Sequence, residues 1–147
     1  MFPLSLRLAG ELADGIVTWL VGAQTLADQI VPVLYQAASG AGRPLPKVIA
    51  GLPMAVCRAS ERATNIDLVN RNLGGFTSLP VYEKVLSREQ GTSLAGALAA
   101  VGDEDTVAVR VRELVDSVDE VYGICFGDEA TFQRTVSFLG DLARARD

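Results

Sequence analysis

Apolar and polar residues alternate along this chain in two periods, one of helices and one of buried strands. Leu6, Leu8, Ala9, Leu12 and Ala13 fall on one side of a helical wheel, Asp14-Gly15 supplies a stop, and Ile16 to Val21 is an almost unbroken apolar run, the pattern of a parallel strand covered on both faces. Thr25 is positioned to cap a second helix with apolar positions Leu26, Ile30, Val33 and Leu34, with Pro32 as a kink or early-turn residue, ending near Ser39-Gly40. Gly40 to Pro46 is loop chemistry. Lys47 to Cys57 is a second strand, and Leu52-Pro53 marks a bulge or the end of regular pairing, because proline cannot donate to a ladder.

Ala59 to about Gly75 reads as helical, a further helix is predicted from Leu79 to Arg88 with Val81, Val85 and Leu86 on one face, and Glu89 to Thr92 is a loop. Gly102-Asp103 caps a helix whose positive first turn holds Glu104 and Asp105 and whose buried stripe is Val107, Val111, Leu114 and Val115. Glu120 to Phe126 is a third strand. Gly127-Asp128 then turns into a last amphipathic helix with Phe132, Val136, Leu139 and Leu142 facing inward. Alternation of this kind implies an α/β fold with about three parallel strands and right-handed crossovers, and residues 1–147 are read as a single domain.

Composition narrows the function classes. A chain of 147 residues with 49% hydrophobic residues has the size and apolar content of one packed core. Its net charge of -5 opposes a phosphate-backbone partner, so no nucleic-acid role is expected. No apolar run reaches the roughly 18 residues of a membrane span and no cationic region precedes the first apolar residues, so a cytoplasmic protein is expected. Cys57 and Cys125 suit reduced buried thiols. The chain has no histidine, which removes Ser-His-Asp and Cys-His chemistry, and no metal site is expected.

The segments LRLAGELADGIVTWLVG, TLADQIVP, KVIAGLPMAV, VGDEDTVAVRVREL and FGDE, in this order, resemble the C-terminal half of luciferase-like flavin and deazaflavin oxidoreductases, above all the branch that uses coenzyme F-420. The resemblance implies part of a (β/α)8 barrel, a partial TIM-barrel-like array, since a complete barrel takes about 250 residues. It also implies F-420 or FMN as coenzyme, hydride transfer to or from a small organic substrate, and in some relatives oxygen-dependent monooxygenation. One departure stands out: where relatives enter the first helix through a segment like Ala-Leu-Gly-Pro-Arg-Met near the coenzyme phosphate, this chain reads Met1-Phe2-Pro3-Leu4-Ser5.

In such an array ligands gather at the C-terminal ends of the strands. That rule selects Trp19, Gly22, Arg58 and Gly127 as candidate coenzyme contacts. Each has a plainer reading: burial for Trp19, turn geometry for Gly22 and Gly127, a solvated or ion-paired guanidinium for Arg58. Tyr35, Tyr82 and Tyr122 are candidate proton donors that burial also explains, and Asp103-Glu104-Asp105 reads as a charged first turn rather than a metal site. No carboxylate pair has an acid/base arrangement. The opposing expectation is a non-catalytic remnant or self-associating module, from an evolved short form or a truncated gene, in which a second copy or a partner chain covers the open sheet edges.

Overall fold

A computed structural model describes residues 3–80, Tyr82 and 94–145. Its elements are α1 (Pro3–Leu12), β1 (Gly15–Trp19), a long helical run α2 (23–40), β2 (Lys47–Val56), a 3-10 turn (Ala59–Glu61), α3 (Arg62–Thr77), a second 3-10 turn (Ala95–Ala97), β3 (Ala100–Gly102), α4 (Glu104–Val115), β4 (Glu120–Cys125) and α5 (Glu129–Arg144). The helix expected over Leu79 to Arg88 and the loop after it lie mostly outside the described residues. All strand pairs are parallel, as the alternation of elements implies.

The sheet has four strands, one more than the apolar runs announce, and β2 is its centre. β1 pairs with Lys47 to Gly51 on one edge, and β3 takes up that same edge from Met54 to Val56. β4 pairs along the other edge from Ile49 to Met54. Lys47 and Cys57 donate their N–H groups to Asp14 and Gly102 on the β1/β3 edge, whereas the carbonyls of Val48 and Met54 accept from the β4 side. Pro53 has the parity of Lys47 and Cys57, so its missing donor falls in the gap between β1 and β3, where no strand asks for it. Regular pairing does end at Leu52-Pro53, on one edge only.

Side chains of alternate residues along β2 serve two different layers. Val48, Ala50, Leu52, Met54 and Val56 enter the main core with Leu26 and Leu34 of α2 and Val107, Val111 and Leu114 of α4. The opposite parity carries Val17, Ile49 and Tyr122, with Val17 and Tyr122 exposed at 64% and 62%. Toward the strands' C-terminal ends this second face is closed by a smaller cluster in which Ala55, Cys57 and Val101 meet Val69 and Leu73 of α3.

Three expectations about helices need correction. α2 begins at Ala23 with Gly22 at its N-cap, so Thr25 lies inside the helix and caps nothing. The run continues as a π-helical stretch, Leu26–Ile30, before Val31–Gly40. Val31 N–H bonds to the Leu26 carbonyl five residues back, and this wider turn precedes Pro32, whose ring would crowd an ordinary helical turn. In α1, Leu6 is buried but Leu8 and Leu12 are exposed, because the helix meets α2 through Leu6, Ala9 and Gly10. A Cβ at Gly10 would run into the Leu34 carbonyl oxygen. In α5 the buried positions are Thr131 and Thr135, with Phe138, Leu139 and Leu142 packed on the core, so Phe132 and Val136 face outward.

Thr135 shows why the face is turned that way. Its hydroxyl accepts from Val56 N–H at 2.9 Å, beyond the last bond to β4, and donates to the Thr131 carbonyl at 2.7 Å. The side chain therefore finishes the ladder of β2 with a helix. Thr135→Val keeps the shape and orphans a buried N–H, so it should cost about 1–3 kcal/mol, read as a lower urea midpoint. An unchanged midpoint would mean that water replaces the hydroxyl.

Candidate functional site

The four strands deliver the chain to one end of the sheet, where each is followed by a turn into a helix. After β1, Leu20 is buried with φ +54, a left-handed backbone that costs a non-glycine residue on the order of 1 kcal/mol. Trp19 beside it is half-buried, and its Cε3 lies 2.7 Å from the position a Cβ of residue 51 would take. The indole thus rests on bare backbone. Gly22 at the N-cap of α2 offers no side-chain cap, and the first turn of that helix holds no acid.

After β2, Cys57 is buried and Arg58 is exposed. Burial is the main force pushing the Cys57 thiol above its ordinary range, with Glu61 adding to it. Cys125 is pushed the same way by burial. Both thiols are free, and strand parity sets them on opposite faces, Cys125 opposite Met54 and Cys57 following Ala55, so they do not meet. Arg58 donates its backbone N–H to Glu61 Oε2 at 3.0 Å, while its guanidinium stands 3.9 Å from that carboxylate in solvent. Asn65, buried below, donates to the Glu61 carbonyl at 3.1 Å.

The turns after β3 and β4 are closed by their own aspartates. Asp103 accepts from Thr106 N–H at 3.0 Å, as the Gly102-Asp103 pattern predicts, and Asp128 accepts from Thr131 N–H at 2.9 Å. These threonines hold both carboxyls below the usual range, Asp103 first through the Thr106 side chain and Asp128 first through the Thr131 backbone. Gly127 sits at φ +124, and a Cβ there would lie 2.5 Å from Thr131 Cγ2, so this turn requires glycine. Between the two helix starts Glu104 takes a bidentate pair from Arg134, 2.7 Å on each arm. An anion approaching α4 or α5 finds its place taken.

The candidate residues therefore share one end of the sheet but not one cluster. Trp19 and Gly22 belong to the β1 turn, Arg58 points to solvent and Gly127 is accounted for by its turn. The tyrosines are dispersed: Tyr82 meets Phe76 edge to face at 6.3 Å, Tyr122 lies mid-strand, and Tyr35 is raised by burial and by Asp119, which precedes β4. Sequence reading missed the Glu104–Arg134 pair, Asn65, and a pocket of about 330 Å³ that includes Arg62, Asn70 and Arg110. No local spacing announces contacts made between separate helices. Among the described residues, no group of three or more His, Cys, Asp or Glu side chains could hold a metal, and no helix is long and apolar enough to cross a membrane.

The Arg134 guanidinium lowers the Glu104 carboxyl below its ordinary range, so the pair stabilises the fold above the unfolded carboxylate's titration and loses that contribution as pH falls through the folded one. Glu104→Gln should therefore lower the melting temperature at neutral pH, with the gap to the parent narrowing steadily below about pH 4.5, the ordinary glutamate value. Melts followed by circular dichroism from pH 3 to 8 test this; a gap independent of pH would assign the pair no electrostatic role.

No protein-family model matches the chain, and no curated protein matches it in sequence. Solved structures do. An F-420-dependent secondary alcohol dehydrogenase, solved with an F-420–acetone adduct, aligns over 84% of this chain and 40% of its own, at 14% identity and a TM-score of 0.65. The coenzyme F-420-dependent tetrahydromethanopterin reductase of Methanopyrus kandleri aligns over 84% and 42%, at 20% identity and a TM-score of 0.57. The oxygenating constituent of 3,6-diketocamphane monooxygenase from Pseudomonas putida, a type II Baeyer-Villiger monooxygenase in complex with FMN, aligns over 88% and 42%, at 18% identity and a TM-score of 0.63. The chain spans less than half the length of each. In fold this chain is an open, partial TIM-barrel-like array of four parallel strands and flanking helices, an arrangement it shares with these three solved structures.

Proposed function

We propose that this chain acts within a luciferase-like oxidoreductase and supplies part of the wall that holds F-420 or FMN. The observation that carries this reading is the β1 turn, where half-buried Trp19 lies next to a helix start at Gly22 that has no side-chain cap and no acid in its own first turn, with Arg110 and Glu113 of α4 at its border. A planar ring with an anionic tail suits that turn: the indole offers an aromatic wall, and the free N–H groups after Gly22 suit an anion. The turns after β3 and β4 do not fit a phosphate, since Asp103 and Asp128 occupy their N–H groups. The coenzyme, when bound, supplies the hydride chemistry. The residues of this chain bind and orient, and none of its described groups is arranged to move a proton.

Trp19 is the sole tryptophan, so its emission reports on this turn alone. Titration with F-420 and with FMN should quench it saturably with a Kd below about 1 mM, roughly 4 kcal/mol of binding, and Trp19→Leu should weaken retention in equilibrium dialysis severalfold. No retention of either coenzyme by the parent chain at that concentration would end the idea of autonomous coenzyme use.

A second reading, self-association, rests on a separate observation. The outer edges of β1 and β4 are unpaired among the described residues, and the helices flanking them carry exposed apolar residues at helical spacing, Leu4, Leu8 and Leu12 on α1, Phe132 and Val136 on α5. Multi-angle light scattering should then give a mass of at least two chains, falling toward one in the double variant Leu8→Lys, Phe132→Lys. A stable monomer with a cooperative melt would remove this reading.

A further inference from the structure

We propose that the pocket between α3, residues 94–99 and α4 is a binding site for a small organic carboxylate. Neither Trp19 nor Gly22 lines it, although Arg110 borders both this pocket and the small gap beside Gly22, and the pocket's volume, about 330 Å³, is that of a site for a small molecule. Its polar lining is made of donors. Arg62 donates Nε to the Val101 carbonyl at 3.0 Å, which fixes the guanidinium at the pocket wall, and among the described residues no carboxylate pairs with it. Asn70 uses its Oδ1 to accept from Gly96 N–H at 2.7 Å, which fixes the amide's orientation and leaves both Nδ2 hydrogens without a described acceptor.

In a chain with net charge -5, no described Asp or Glu lines this pocket, although two arginines do. Arg110 is partly neutralised, since it donates to Glu113 at 2.6 Å and its side chain is only 29% exposed. One guanidinium fork without a described acid partner, beside an amide, matches one carboxylate. A dianionic phosphate would bring a second charge that no further unpaired cation among the described residues of the pocket meets. Ile66 and Val101 give the rest of the wall an apolar character, which selects a ligand whose carboxylate is joined to a hydrocarbon body.

Isothermal titration of the whole chain with 4-phenylbutyrate, its neutral amide and inorganic phosphate tests the site. The carboxylate should bind saturably, with the amide and phosphate at least tenfold weaker. Arg62→Gln should weaken the carboxylate about tenfold or more. Asn70→Asp keeps the acceptor for Gly96 N–H and replaces the donors with a like charge, so it should abolish binding while preserving the circular dichroism spectrum. Arg144→Gln, an exposed arginine on α5, should change nothing. Equal binding of acid and amide, phosphate binding as well as the carboxylate, or full binding by both pocket variants would overturn the proposal. The Trp19 titration reads a different turn, so failure of either experiment leaves the other result standing.

Discussion

Every strand among the described residues is hydrogen-bonded to β2 and to no other strand. The sheet therefore depends on one ten-residue segment that must serve two edges and two faces at once. The near-continuous apolar sequence of that segment meets the demand of the faces, and a single imino acid organises the edges. Pro53 cannot donate, and the chain sets it opposite the junction where β1 stops and β3 starts. A donor at this position would point into a gap with no acceptor from either strand. What looks like an interruption in the sequence is thus the seam around which two short strands share one edge.

The same economy governs the ends of the strands. Asp103 and Asp128 satisfy the helix starts that follow β3 and β4, Glu104 and Arg134 fill the space between them, and Thr135 completes β2 from the side. Each of these groups has its partner within the fold, and burial holds the two thiols above their ordinary range. The exceptions are the turn after β1, with a left-handed Leu20 and an uncapped Gly22, and the Arg62–Asn70 pocket. Donors without a described partner at these two places mark where a ligand has something to gain.

Local chemistry decided what could be read from the sequence. The Asp103 cap, the stripe of α4 and the break at Pro53 follow from rules that act over a few residues, and they stand as expected. β3 is not legible because its three residues, Ala100–Gly102, end an unbroken run of small and apolar residues that carries no strand period. The faces of α1 and α5 are legible only in part: Leu6, Ala9, Leu139 and Leu142 pack inward as expected, while Leu8, Leu12, Phe132 and Val136 do not, because Gly10 allows backbone contact with α2 and Thr135 is required by Val56. The π-helical stretch before Pro32 left only the proline as a clue. Arg62 and Arg110 lie on separate helices, and no spacing in the chain foretells that they share one pocket.

The two edges of β2 also differ in how far the chain must travel to fill them. The Thr18–Ile49 contact to β1 spans 31 residues, but those to Asp119, just before β4, and to Thr135 of α5 span 71 and 79. Closing the longer loop costs more entropy and rewards nothing until β4 arrives. A chain made from its N-terminus has β2 complete while the partner for one whole edge is still unsynthesised, so that edge is the part of the protein that a chaperone, or a second nascent copy, meets first.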